Sequence, residues 1–281
     1  MSDVFERVAI VGVGLIGGSL GIALKQAAPH VDIRGVGRDS LRLERARHLG
    51  AVDSFTTDLT GSLEDRDLVI LASPVEHILQ ALDVLGDHLG PGTVVTDVGS
   101  TKLRICRKAW SRLPQSVQFI GGHPIAGREI AGVENSLPTL FHNAPYVLCP
   151  PADVRAENLA RLRRLVEQLG ARPLIMAPDK HDRTLAWLSH LPQLLSTALA
   201  NVCQQQPIET AGSGLRDMTR LAISPYSVWR AVLDTNQDNI DLALQSIINH
   251  LQQLRRKLQV GDLADEFASA ATFAQKLRGS S

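Results

Sequence analysis

Apolar and polar positions alternate in two different rhythms along this chain. In the first part, short apolar runs recur between segments of helical spacing: "VAIVG", "VDIRGVG", "DLVILAS", "TVVTDVGS", "QFIGGH" and "YVLCP". Each is the length of a buried strand, and each is followed by a turn signal, so the pattern predicts strands joined by helices such as "SLGIALKQA" and "SLRLERARHLG". Strand and helix in alternation predict a doubly wound, mostly parallel sheet. After "RPLIMAP" the rhythm changes. From Asp179 onward strand signals vanish and the period becomes helical, first in "HDRTLAWLSHLPQLLSTALANVCQ", then, after a break at "AGSGLRDMTRLA", from about Pro225 to Val260. The reading is an α/β domain over residues 1–178 and an all-helical C-terminal domain over 179–281.

The first strand runs into glycine. Gly12, Gly14 and Gly17 form G-x-G-x-x-G between that strand and the next helix, the context a Rossmann-like dinucleotide fingerprint requires. Gly12 allows the sharp turn, Gly14 lets the backbone approach a pyrophosphate, and Gly17 lets helix and strand pack closely. The N–H groups at Leu15, Ile16 and Gly17 then face the phosphates. An NAD enzyme usually ends its second strand in a carboxylate that holds the ribose hydroxyls. Here Gly37 and Arg38 stand at that point, so NADP is favoured, with Arg38 and Ser40 on the 2′-phosphate and NAD as the alternative. The competing reading is that Asp39 or Ser40 only caps the next helix, or that Asp39 takes the ribose role.

Composition narrows the partners. Lys plus Arg and Asp plus Glu are both 29, giving no net charge, and no long run of one sign draws the chain to nucleic acid or an anionic membrane. A small-molecule substrate is the expected partner. The uncharged stretch Val8–Leu24 is short for a membrane span, holds five glycines and lacks signal-peptide flanks. Cys106, Cys149 and Cys203 form no C-x-x-C pair, which suits reduced thiols in a cytoplasmic protein, used as core fillers, with no zinc site.

Ligands in doubly wound sheets lie beyond the carboxyl ends of the strands, where Ser73-Pro74, Ser100-Thr101 and His123-Pro124 fall. The segment "GGHPIAG" reads by itself as a loop, rich in glycine and carrying Pro124, yet its histidine falls within reach of a nicotinamide. In the helical half, His181, Asp182 and His190 admit a metal reading, although their spacing matches no ligand pair, and the expectation is no metal. Arg220, beside flexible glycines, suits a carboxylate; a salt bridge with Asp217 is the plainer use. The stripe Ile240, Leu244, Ile247, Leu251, Leu254 and Leu258 fits intrachain packing or a dimer seam, and a homodimer through the helical domain is the favoured reading.

Taken together, "VGVGLIGGSLG", "DVGSTK", "GGHPIAGREIAGVENS", "SHLP" and "GLRDMTRLAISPYSVW" resemble, in order and spacing, the prephenate and arogenate dehydrogenases of tyrosine biosynthesis. The resemblance covers nearly the whole chain and implies the compact two-domain form, with no room for a mutase segment or a C-terminal regulatory domain. It implies oxidation of a ring hydroxyl with loss of the para carboxylate as carbon dioxide. By this resemblance His123 accepts the hydroxyl proton, Ser100 orients hydroxyl and imidazole, and Glu129 lies at the pocket mouth. His181 and His190 shape the domain interface, and Arg220 holds a substrate carboxylate with Trp229 packed below it. Two departures stand out. Gln193 replaces a histidine that follows "SHLP" in many members, which bears on substrate choice. Ser224-Pro225-Tyr226 replaces S-D-P, which alters only a helix start. A neutral glutamine offers an acceptor to the ammonium of arogenate, so Gln193 leans the choice toward arogenate or toward both substrates. Two other readings share parts of this pattern. One is a hydroxyacid dehydrogenase or imine reductase, for which Lys180 stands outside a matching motif; the other is a redox sensor that binds dinucleotide without catalysis.

Overall fold

The computed structural model describes residues 5–61, 63–128 and 130–279. Among them an eight-stranded sheet forms in the order β3-β2-β1-β4-β5-β6-β7-β8. The strands are β1 (Arg7–Val11), β2 (Asp32–Val36), β3 (Ser54–Thr56), β4 (Leu68–Leu71), β5 (Val94–Asp97), β6 (Gln118–Pro124), β7 (Pro145–Cys149) and β8 (Arg172–Ile175). All neighbours pair parallel except β6 and β7. Helices α1 (Leu15–Ala27), α2 (Ser40–His48), α3 (Val75–Ala81), α4 (Leu103–Arg112) and α5 (Ala156–Gln168) complete the Rossmann-like part.

The central strands are buried on both faces, which is why their sequences are apolar without a break rather than alternating. Successive side chains still divide between the faces. Val8, Ile10, Leu68 and Ile70 pack with Leu20 of α1 in one cluster; Ala9, Val11, Val69 and Leu71 pack with Ile78 of α3 in the other. The chain runs outward from β1 through β2 to β3, then returns to place β4 on the other side of β1. That reversal leaves a crevice at the carboxyl ends of β1 and β4, where ligands of such sheets bind.

Helices follow as α6 (Pro178–Leu185), a π-helical turn Ala186–His190, α7 (Leu191–Cys203), α8 (Ser213–Thr219), α9 (Tyr226–Thr235), α10 (Gln237–Val260) and α11 (Ala264–Gly279). By packing, one compact unit extends to Asn236 and a second begins at Gln237. In the second unit α10 exposes Leu251 and Leu258. No helix of the described residues is long and apolar enough to cross a membrane.

Three expectations are corrected. Gly121–Pro124 is not loop but the end of β6, paired antiparallel so that Gly122 meets Leu148 and His123 meets Val147. The glycines serve close packing: a Cβ on Gly122 would lie 2.4 Å from the Asp97 carbonyl oxygen, and one on Gly121 would lie 2.6 Å from Cys106 Sγ. Pro124 is tolerated because it ends the strand. The single helix from Pro225 to Val260 is two, broken at Asn236 (φ −128°). Cys106 and Cys149 fill the core, but Cys203, at the end of α7, is only half-buried.

Candidate active site

The glycine turn has the shape a pyrophosphate needs. Gly12 sits at φ +98°, and a Cβ there would lie 2.8 Å from the Ala72 carbonyl oxygen, so no other residue fits without strain. A Cβ on Gly17 would meet the Gly12 carbonyl oxygen at 2.2 Å, whereas around Gly14 there is open space within 4 Å. Gly14 caps α1 without a side-chain hydrogen bond, and the first turn, Leu15 to Gly18, carries no acid. Uncapped N–H groups and the positive end of the helix dipole are what a diphosphate would satisfy. Leu15 is itself buried, and Ile16 packs against the core.

A cleft of about 530 Å³ opens beside this turn, lined among others by Gly12, Val36, Arg38, Asp39, Ser73 and Pro74. Its size and lining fit a dinucleotide. Asp39 caps α2: its Oδ1 accepts from Leu41 N and Arg42 N, both at 3.1 Å, and its Oδ2 pairs with Arg42 Nε at 3.1 Å. Ser40 opens the helix behind it, and Arg38 is exposed.

At the end of β6, His123 is buried and touches the helical segment. Its Nδ1 lies 2.8 Å from His181 Nε2, and His181 Nδ1 lies 2.7 Å from Asp182 Oδ1. Asp182 also accepts from the N–H groups that start α4, Lys102 at 2.7 Å and Leu103 at 2.9 Å. Burial, reinforced by His181, Lys102 and His190, holds the His123 imidazole well below its ordinary range. Burial also lowers His181, though Asp182 opposes the shift, and brings His190 down to about 4. All three rings are therefore neutral near pH 7. Neutral imidazole can accept a proton; imidazolium cannot.

A buried ion pair supports this histidine from below. The Lys102 ammonium pairs with Asp97 at the end of β5 and donates to the Gly122 carbonyl at 2.7 Å. The Asp97 carboxylate accepts in turn from Gly99 N at 2.8 Å and Gly122 N at 3.0 Å. One pair thus holds both the strand residue before His123 and the turn before Ser100, which is half-buried.

The remaining candidates scatter over the helices. His190 ends the π-helical turn, its Nδ1 3.1 Å from Asn236 Nδ2, and stacks edge-on with Trp229 at 5.9 Å between centroids. Trp229 thus packs against a histidine. Gln193 is buried one turn further on. Its Nε2 donates to the Leu221 carbonyl at 2.9 Å, while its Oε1 has no hydrogen-bond partner among the described residues. Arg220, next to Leu221, is exposed at the start of the 3₁₀ turn Arg220–Ile223. Glu129 lies outside the described residues. His181 spends its nitrogens on His123 and Asp182, and His190 Nδ1 lies against Asn236; among the described residues no group of three His, Cys, Asp or Glu is arranged to hold a metal.

Three residues of this arrangement were not singled out from the sequence: Asp97, Lys102 and Asn236. Asp97 and Lys102 carried a signal, as charges flanking the glycine at the end of an apolar strand in "TDVGSTK".

A dinucleotide cradle at the switch point of a doubly wound sheet, with a buried neutral histidine on a strand end, defines an NAD(P)-dependent dehydrogenase. The chain belongs to the prephenate dehydrogenase family: the model described as prephenate dehydrogenase, nucleotide-binding domain, matches residues 20–175, and that described as prephenate dehydrogenase, dimerization domain, matches 177–272. It is 31% identical to the prephenate dehydrogenase of Bacillus subtilis over 95% of this chain and 74% of that one. Its fold is similar to that of prephenate dehydrogenase from Aquifex aeolicus in complex with hydroxyphenyl propionate and NAD+, with 29% identity, a TM-score of 0.88 and 98% of each chain covered. Synechocystis arogenate dehydrogenase is similar as well, at 32% identity and a TM-score of 0.83, with 98% of this chain and 99% of that one covered. The chain is an NAD(P)-linked oxidoreductase of this family, and the sensor, hydroxyacid dehydrogenase and imine reductase readings give way to it.

Proposed function

We propose that this enzyme oxidises and decarboxylates arogenate in preference to prephenate, with NADP as its favoured acceptor. The observation that carries the substrate choice is the Gln193 side chain. The Leu221 carbonyl, which also accepts from Ser224 N at 3.1 Å, can only accept, so the Gln193 NH2 faces it, and the oxygen that remains is buried without a partner among the described residues. Such an acceptor costs about 1–3 kcal/mol until a donor reaches it. Arogenate brings an ammonium; prephenate has a keto oxygen at the same carbon, which can only accept. In the Gln193→His variant, the kcat/KM ratio of arogenate to prephenate should fall tens-fold, the worth of one hydrogen bond to a charged group. An unmoved ratio would assign the choice to other residues.

In the reaction, the nicotinamide supplies the hydride acceptor when bound. His123 takes the hydroxyl proton as the C4–H pair leaves and C4=O forms. The C1–carboxylate bond then breaks, its pair enters the ring, and carbon dioxide departs. The phenolate so formed recovers the proton from His123, and no net proton is released. Ser100 orients the hydroxyl, Arg220 holds a substrate carboxylate, and His181, His190 and Trp229 close the substrate side. The cofactor part ends near residue 178, and the helices from 179 carry substrate and dimer contacts. Exposed Leu251 and Leu258 on α10, with the name of the C-terminal family, support a homodimer. Cysteines without a disulfide among the described residues support a cytoplasmic enzyme.

The NADP preference rests on Asp39. Its carboxylate is committed as a helix cap and is thereby withdrawn from a ribose diol, while exposed Arg38 lines the same cleft. Arg38→Ala should raise the Kd of NADP about tenfold or more and leave that of NAD nearly unchanged, as titration of each nucleotide would measure. Equal losses would contradict it.

A further inference from the structure

We propose that Asp182 is a positioning residue that sets the proton of His123 on Nδ1, through His181, and so leaves Nε2 as the acceptor for the substrate hydroxyl. The proposal deepens the reading of His123 given above and rests on it. Asp182 already accepts two backbone N–H bonds from the start of α4, so it faces this region as an acceptor. His181 Nδ1, at 2.7 Å from Asp182 Oδ1, is therefore the donor. A neutral imidazole has one N–H, so His181 Nε2 must accept. The atom 2.8 Å from it is His123 Nδ1, which must donate. His123 is left with its lone pair on Nε2, the form that can take a proton. An isolated imidazole would divide between two tautomers; here the choice is imposed by a carboxylate two rings away.

The same residue sets the opposite tautomer in His190. The Asp182 main-chain carbonyl accepts from Asn236 Nδ2 at 2.8 Å, which fixes the orientation of that amide. The same NH2 lies 3.1 Å from His190 Nδ1, so His190 accepts there and carries its proton on Nε2. One residue thus prepares an acceptor on β6 and a donor on the π-helical turn, the pair of roles that oxidation of an alcohol bearing carboxylates can use.

Asp182→Asn tests the proposal, because an amide can donate where the carboxylate could only accept. With one of its two acceptor oxygens replaced by NH2, the residue no longer holds His181 as an Nδ1 donor alone, and His123 would populate both tautomers. In protein labelled with ¹⁵N-histidine, with the His123 signal identified by its loss in His123→Asn, the proton should sit on Nδ1 in the wild type and be divided between Nδ1 and Nε2 in Asp182→Asn. We expect kcat to fall on the order of 10²-fold while KM and dinucleotide Kd stay within about threefold. Asp182→Asn could lose the turn at Lys102 and fail to fold. His181→Phe avoids this, since it keeps every bond of Asp182 to α4 and removes only the relay; it should show both His123 tautomers and at least a tenfold loss of kcat. A wild-type His123 protonated on Nε2, or near-normal kcat in both variants beside an inactive His123→Asn, would overturn the proposal. Normal turnover in His123→Asn would instead overturn the reading of His123, and with it the catalytic use of the relay, and the wild-type spectrum would tell the two failures apart.

Discussion

His123→Asn is expected to fold, to bind dinucleotide with unchanged affinity, and to lose about 10² to 10⁴-fold in kcat, the contribution of a positioned base. Asparagine keeps a polar group of similar reach at the end of β6 but cannot take the hydroxyl proton. The pH dependence gives a second readout. Burial first, then the neighbouring His181, Lys102 and His190, hold the His123 pKa well below 6.5. The neutral, active form therefore persists as pH falls to that value. In the wild type kcat/KM should stay level from neutral pH down to about 6.5 and fall only below it, as the imidazole becomes charged. That acid limb should vanish from the residual activity of the variant. A purified His123→Asn with near-normal kcat would remove the histidine from the chemistry.

The second large effect is on stability. Lys102 and Asp97 are both fully buried, and the Asp97 carboxylate also holds Gly99 N and Gly122 N. Lys102→Met removes the cation and leaves the carboxylate buried without its partner, a change that typically costs about 3–5 kcal/mol. The urea midpoint should fall accordingly, with an unchanged slope if the unfolded state is unaffected. Adding Asp97→Asn to the same chain should recover part of the loss, since the amide leaves no unpaired charge. A loss below about 1 kcal/mol would show that the pair is not needed. Activity should suffer as well, because Gly99 and Gly122 stand directly before Ser100 and His123.

What was legible in the sequence is what local physics decides. The turn Gly12–Gly17 could be read because its glycines answer to their own backbone: Gly12 is at φ +98°, and Gly17 would collide with Gly12 itself. The apolar strands could be read because burial on both faces leaves a continuous run. Gly121 and Gly122 misled for the opposite reason. They look like turn glycines, yet they are small because Cys106 and the backbone of Asp97 press on them from other elements. Asn236 was hidden for a similar cause, as asparagine is only mildly unfavourable within a helix and its side chain bonds to the main chain of Asp182, 54 positions away. The role of Asp182 depends on Lys102, 80 positions earlier, so no spacing rule could connect them. From sequence alone the spacing of His181, Asp182 and His190 said only that they match no ligand pair; in the fold His181 joins Asp182 to His123, a link between elements that no local pattern shows.

The most direct test of the central claim is to supply arogenate or prephenate with NADP or NAD to the purified protein and to measure carbon dioxide and reduced nicotinamide together. The account predicts one carbon dioxide for each nicotinamide reduced, an aromatic product, and the highest kcat/KM for arogenate with NADP. Reduction without carbon dioxide, or no turnover of either substrate with either cofactor, would contradict it.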